Sequence, residues 1–198
     1  MKYNTYIEQK FIIPELKGIS AKTIEEHLKL YSGYVKHTNL ILQKVDELSK
    51  TPEDTTANLY LIGELKRRLG FEFGGVRNHE YYFEQFEGGF KEINTESSLY
   101  KKIVETWGSY EQWLLEFKNL AMTRGIGWAF LYMDEKNNNL VNTWVGEQHD
   151  GHLTGLKPVL ALDMWEHSYM LDVVPSEKKK YVEAFFENVN WVVVEGRG

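Results

Sequence analysis

The chain has 198 residues, 42% of them hydrophobic and 14% aromatic, with a formal net charge of -6. That length supports a sizeable core, in one domain or two small packed lobes, and the acidic balance argues against a general nucleic-acid binder, whose surface is basic. Cysteine is absent, which excludes disulfides, thiolate zinc sites, iron–sulfur clusters and cysteine nucleophiles together. Any metal must then be held by His, Asp, Glu or backbone, donors suited to manganese, iron or zinc.

No apolar run reaches the roughly 18 residues of a membrane span, and residues 1–13 lack the basic-then-apolar pattern of a secretion signal. The expectation is a soluble cytoplasmic protein with neither a membrane nor a nucleic-acid partner.

Met1–Gly18 reads as an extended arm broken by Pro14 and Gly18. Ser20 suits a helix N-cap, with Glu25 and Glu26 early in the helix where they favour its dipole. From Ile24 to Leu48 apolar residues recur at helical spacing. Ser49–Asp54, with Pro52, reads as a turn. A second helical region is predicted over Thr56–Glu87, with Gly70, Gly74 and Gly75 as places for a kink or for close approach by another element. Shorter helices are predicted at about Ser97–Thr106 and Ser109–Met122. Strands are expected at Trp128–Met133, Leu140–Val145 and Pro158–Asp163, the first two joined by turn residues at 134–139. Tyr181–Asn190 is the clearest of the last helices. The fold class is α+β: a long N-terminal helical hairpin (1–92) packed on a C-terminal α/β lobe (93–198) with a small three-stranded antiparallel sheet.

The stretch Asp163-Met164-Trp165-Glu166-His167-Ser168-Tyr169 carries the chemistry. Its carboxylate and imidazole stand four residues apart, so one helical turn can point both at one spot. A bare pair of this kind is also a common core arrangement, but the longer string is more specific. D-x-W-E-H-[small]-Tyr resembles the signature of the iron/manganese superoxide dismutase family. Upstream, the segment Ile19–His27 resembles the family's first-ligand motif, and Gly74-Gly75-Val76-Arg77-Asn78-His79 resembles the second. Gly125–Leu131 and Asn188–Trp191 resemble two further family segments, so the likeness runs over nearly the whole chain.

The resemblance implies a hairpin-plus-sheet fold, one manganese or iron ion per chain on His27, His79, Asp163 and His167, and conversion of superoxide to dioxygen and hydrogen peroxide by redox cycling of that ion. It also implies a Gln bonded to metal-bound solvent and a Tyr at the substrate gate. In iron-type members the Gln lies four residues before the second His, where this chain has Gly75. In manganese-type members it comes from the sheet side, where Gln148 lies fifteen residues before Asp163. The lean is therefore to manganese, although His149 beside Gln148 leaves open which of the two faces the site. The gate Tyr is expected at Tyr34, but the family's spacing from the first His would place Val35 there.

A homodimer is implied through Glu166 of one chain and His167 of the other. Another bridge of the family is missing, since Leu30, Tyr31 and Met170 stand where its His and Tyr would be. Lys178–Lys180 offer positive charge for an anionic substrate on an acidic protein. The competing reading is a non-catalytic metal-binding or structural relative of the same fold.

Overall fold

The computed structural model describes residues 3–50 and 55–198. Helix α1 spans Ala21–Ser49. Its start is capped twice. The Ser20 hydroxyl accepts from the Thr23 amide at 3.1 Å, and the Asp172 carboxylate accepts from the Ser20 amide (2.8 Å) and the Thr23 hydroxyl (2.6 Å). The second cap ties the segment after His167 to the helix that carries His27. Buried positions Ile24, His27, Tyr31, Val35, Thr38, Ile41 and Val45 form one stripe at intervals of three and four. The arm lies along this helix: Tyr6 exchanges two hydrogen bonds with the Asn39 side chain, and the Gln9 amide donates to the Tyr31 hydroxyl.

Helix α2 spans Thr55–Glu84 and packs against α1 as the predicted hairpin. It runs without interruption through Gly70, Gly74 and Gly75. Those glycines serve close approach, not a break. The helix ends at Glu84, with turn geometry at 85–88 where helix was expected to Glu87. Of the predicted inter-helix turn, residues 51–54 lie outside the described residues.

Helices α3 (Ser98–Trp107) and α4 (Tyr110–Ala121) are each capped by a serine hydroxyl, from Ser97 and Ser109. Strands β1 (Gly127–Asp134), β2 (Asn139–Gly146) and β3 (Lys157–Asp163) form one antiparallel sheet in the order β2-β1-β3. Trp128 on β1 stands opposite Asp163 on β3, so the sheet register sets an indole beside the end of the last strand. The register shifts between Leu131 and Tyr132.

Beyond the sheet, the helix predicted over Tyr181–Asn190 begins at Lys178 and ends at Phe186, and a further short helix follows it. Helix α5 spans Lys178–Phe186 and α6 spans Trp191–Glu195. Two asparagines divide them. The Asn188 amide group bonds to the carbonyls of Ala184 and Lys17, and Asn190 caps α6 through the Val192 amide at 3.1 Å. Such local side-chain bonds offer the backbone an alternative to continuing a helix.

Candidate metal centre

Four elements each aim one polar side chain at a common point. His27 comes from the inner stripe of α1 and His79 from α2. Asp163 ends β3, and His167 sits in the 3-10 turn Glu166–Ser168 just beyond. That turn is set by the chain itself: the Asp163 Oδ1 accepts from the Trp165 amide at 2.8 Å, and the Ser168 hydroxyl donates to the Asp163 carbonyl at 3.0 Å.

One donor atom from each of the four residues lies within 4.8 Å of all the others. The Asp163 Oδ2 is 3.0 Å from His27 Nε2, 3.2 Å from His167 Nε2 and 3.7 Å from His79 Nε2. His79 shows why the group fits a cation. Its Nδ1 faces the Gly75 carbonyl at 2.6 Å. A carbonyl only accepts, so Nδ1 carries the proton. The Nε2 lone pair then points into the cluster, fully buried and with no hydrogen-bond partner among the described residues. An orphaned imidazole lone pair beside a buried carboxylate is what a metal ligand set requires and what a packed core avoids.

The electrostatics agree. Burial, with a further contribution from His27, pushes His79 down to about 3. Burial also lowers His27. For Asp163 burial opposes ionisation, but His167 and then His27 outweigh it and hold the carboxyl well below its ordinary range. His27 and His79 are thus neutral and the Asp163 carboxylate charged at neutral pH, the protonation states that bind metal.

An acid sensitivity follows for the metal-free chain. An unfolded histidine takes up a proton below about 6.5, whereas buried His79 resists protonation until about 3. The unfolded state therefore binds more protons in that window, and stability falls as pH drops through it, by about 1.4 kcal/mol per pH unit well below 6.5 for His79 alone. Urea unfolding of metal-free protein at pH 7 and pH 5 checks this, with the lower midpoint expected at pH 5.

Aromatic rings wall the cluster. Trp128 meets His79 edge-on at 5.1 Å, and Trp165 stacks on His167 at 5.7 Å. Gln148 faces inward: its Oε1 accepts from the Trp128 indole at 3.0 Å and its Nε2 donates to the Tyr34 hydroxyl at 3.1 Å. Tyr34, seven residues after His27, thus meets Gln148 beside the donor cluster. Gly75 makes room for it, since a Cβ there would lie 2.4 Å from the Tyr34 ring. His149 packs against Phe71 at 5.8 Å.

The sequence reading missed Arg68, whose guanidinium sits 3.8 Å above the Phe71 ring and bonds to Glu72 at 2.8 Å. Phe71 in turn meets Tyr34 and Trp165, which links this cation to the rings beside the donor cluster. Lys178 donates to the Thr123 carbonyl and Lys180 pairs with Glu177. Asp172 was also missed, and Asn78 was read only as part of the second-ligand motif. Asn78 precedes a predicted ligand, but neither residue has a spacing signal for its long-range partner.

Among the described residues, no helix is long and apolar enough to cross a membrane. Residues 95–197 match the family described as iron/manganese superoxide dismutases, C-terminal domain. The chain is similar to an iron superoxide dismutase of Cupriavidus metallidurans, with 35% identity over 89% of this chain and 87% of that protein. It is 36% identical to an iron superoxide dismutase of Aquifex pyrophilus over 92% of this chain and 85% of that one. It is 38% identical to the manganese superoxide dismutase 2 of Haloferax volcanii over 70% of this chain and 71% of that one. The relatives thus divide between iron and manganese, either of which suits three imidazoles and a carboxylate. With that donor set at the meeting point of hairpin and sheet, the chain belongs to the iron/manganese superoxide dismutase family and is an oxidoreductase of that class.

Proposed function

We propose that His27, His79, Asp163 and His167 hold one ion per chain, with manganese preferred over iron, and that Gln148 and Tyr34 manage protons during superoxide dismutation. The observation that carries this reading is the convergence of four buried or half-buried donors, with an unpartnered His79 lone pair among them. The bound ion supplies the one-electron redox chemistry. The chain's own residues do the rest.

Two superoxide anions and two protons give one dioxygen and one hydrogen peroxide, so protons must reach the site each cycle. Tyr34 accepts from Gln148 and keeps its own hydroxyl proton to offer an incoming anion. Burial raises the Tyr34 phenol well above its ordinary value, which keeps that proton in place at neutral pH. Gln148 is held at both ends of its amide, so the hydroxyl it orients has one preferred direction. Manganese is favoured because the inward amide comes from the loop after β2 while position 75 is glycine, the arrangement that resembles manganese-type members.

The functional unit is proposed to be a homodimer. Glu166 is exposed beside half-buried His167, with Met170 and Leu171 also exposed nearby. The Glu166 carboxylate of one chain would accept from the partner subunit's His167.

Elemental analysis and dismutation assays after separate reconstitution with manganese and iron test this reading. About one equivalent per chain, with higher turnover for manganese, is expected. Higher turnover with iron would reverse the metal preference, and bound metal without turnover would reject the Gln148 and Tyr34 roles. Light scattering reads the assembly: a dimer is expected, and Glu166→Ala should shift it toward monomer.

A further inference from the structure

The backbone at Gln148 needs an explanation that its side chain does not provide. Glu147, the residue before it, has φ 49, in the left-handed region that a residue with a Cβ rarely adopts. Such a conformation persists only where its surroundings over-determine it. Two bonds hold the Glu147 peptide: its amide donates to the Ile126 carbonyl at 3.2 Å, and its carbonyl accepts from the Trp165 indole at 3.1 Å. The next carbonyl, that of Gln148, accepts twice, from Asn78 Nδ2 at 3.0 Å and His152 Nε2 at 3.2 Å.

We infer that His152 and Tyr132 are positioning residues for superoxide dismutation, acting together to lock the Gln148 peptide so that its side chain stays aimed between Trp128 and Tyr34. This rests on the role proposed for Gln148 above. The proton count carries the argument. A carbonyl cannot donate, so the His152 Nε2 must carry hydrogen, and a neutral ring then leaves Nδ1 as a bare acceptor. The Tyr132 hydroxyl lies 2.5 Å from that Nδ1 and is the donor. Tyr132 thereby selects the tautomer that lets His152 grip the peptide. Its own place is firm. It is buried and stands at the register shift of β1 against β3. His152 is further held by Phe130, edge to face at 5.4 Å. Burial lowers its basicity, with a smaller opposing contribution from the Gln148 carbonyl, so the neutral ring is the working form.

The sheet thus reaches the active site by two routes. Trp128 bonds to the Gln148 side chain directly. Tyr132, four residues along the same strand, bonds to the Gln148 backbone through His152. Together they fix both ends of one residue.

The test uses manganese-loaded enzyme carrying His152→Leu, His152→Gln, Tyr132→Phe or Gln148→Leu. Turnover per bound ion, midpoint potential, metal content and melting temperature are measured for each. His152→Leu should lower turnover about tenfold, in the range typical of residues that orient a metal site from behind, and should shift the potential, with metal content retained. His152→Gln should recover turnover to within about threefold of the parent, because an amide can donate to the carbonyl and accept from Tyr132. Tyr132→Phe should fall between them.

Unchanged turnover and potential in His152→Leu, with both altered in Gln148→Leu, would overturn this inference and leave the Gln148 role standing. No change in Gln148→Leu either would overturn that role and this inference with it. Metal loss and a lower melting temperature in His152→Leu, unrescued by His152→Gln and absent in Tyr132→Phe, would assign His152 to folding alone and also overturn the inference.

Discussion

Asp163→Ala should leave the fold intact and empty the metal centre. The carboxylate is the only negative charge among the four donors, and its Oδ2 is the atom on which the three imidazoles converge. Without it a cation meets three neutral rings in a buried pocket and lacks the anionic partner that offsets desolvation. Metal content is expected to fall below about a tenth of an equivalent, and activity by more than about 100-fold, beyond the usual effect of losing a supporting residue. Asp163→Asn should do nearly as badly, since it keeps the volume but not the charge. Elemental analysis beside far-ultraviolet circular dichroism checks both points. A variant that kept its metal and its turnover would reject the ligand set.

Gly74→Ala should be among the most destabilising single-methyl additions in the chain. A Cβ there would stand 2.1 Å from the Gln148 carbonyl oxygen and 3.0 Å from its carbon. Both are backbone atoms, and that carbonyl is already gripped by Asn78 and His152, so it has nowhere to move. A loss of about 3 kcal/mol, the upper end for overpacking, is expected. For a chain of this length that is a fall of about 6–12 °C in melting temperature. Gly75→Ala meets the Tyr34 ring instead. A ring can swing where backbone cannot, so the expected loss is smaller, about 1–2 kcal/mol, while activity falls because Tyr34 moves. Gly33→Ala is the control. Nothing lies within 4 Å of a Cβ at that helical position, and it should stabilise the chain by up to about 1 kcal/mol. Equal melting temperatures for the Gly74 and Gly33 variants would refute the close-approach account.

The helices and strands were legible because their signals are local. The stripe on α1, the serine caps and the turn residues at 134–139 all act within a few residues of where they stand. The division of α5 from α6 was not legible in the same way. Asn188 and Asn190 look like ordinary helix-end residues until Lys17 and Glu87 supply distant carbonyls for their amides. The choice between Gln148 and His149 had the same character. Adjacent polar residues in a loop carry no signal of which one turns inward. That is decided by the Trp128 indole, by Asn78 on another helix and by a left-handed Glu147. Tyr34 was readable in part, since intervals of four and three from His27 through Tyr31 keep all three on one helix face. Arg68 gave no sign, because its importance lies in stacking on a ring three residues away that itself faces the site.

The bond from His27 to Asp163 joins positions 136 residues apart in the sequence. No short stretch of the chain contains the whole donor set, so the centre cannot form until the hairpin has docked on the sheet. Closing so wide a loop loses chain entropy before any contact is gained. A bound ion then acts as a clasp on the finished fold. It stabilises only the native chain, by about 4 kcal/mol when free metal exceeds its dissociation constant about a thousandfold. With three of the four ligands fully buried, such a clasp would join the hairpin to the sheet from inside the fold.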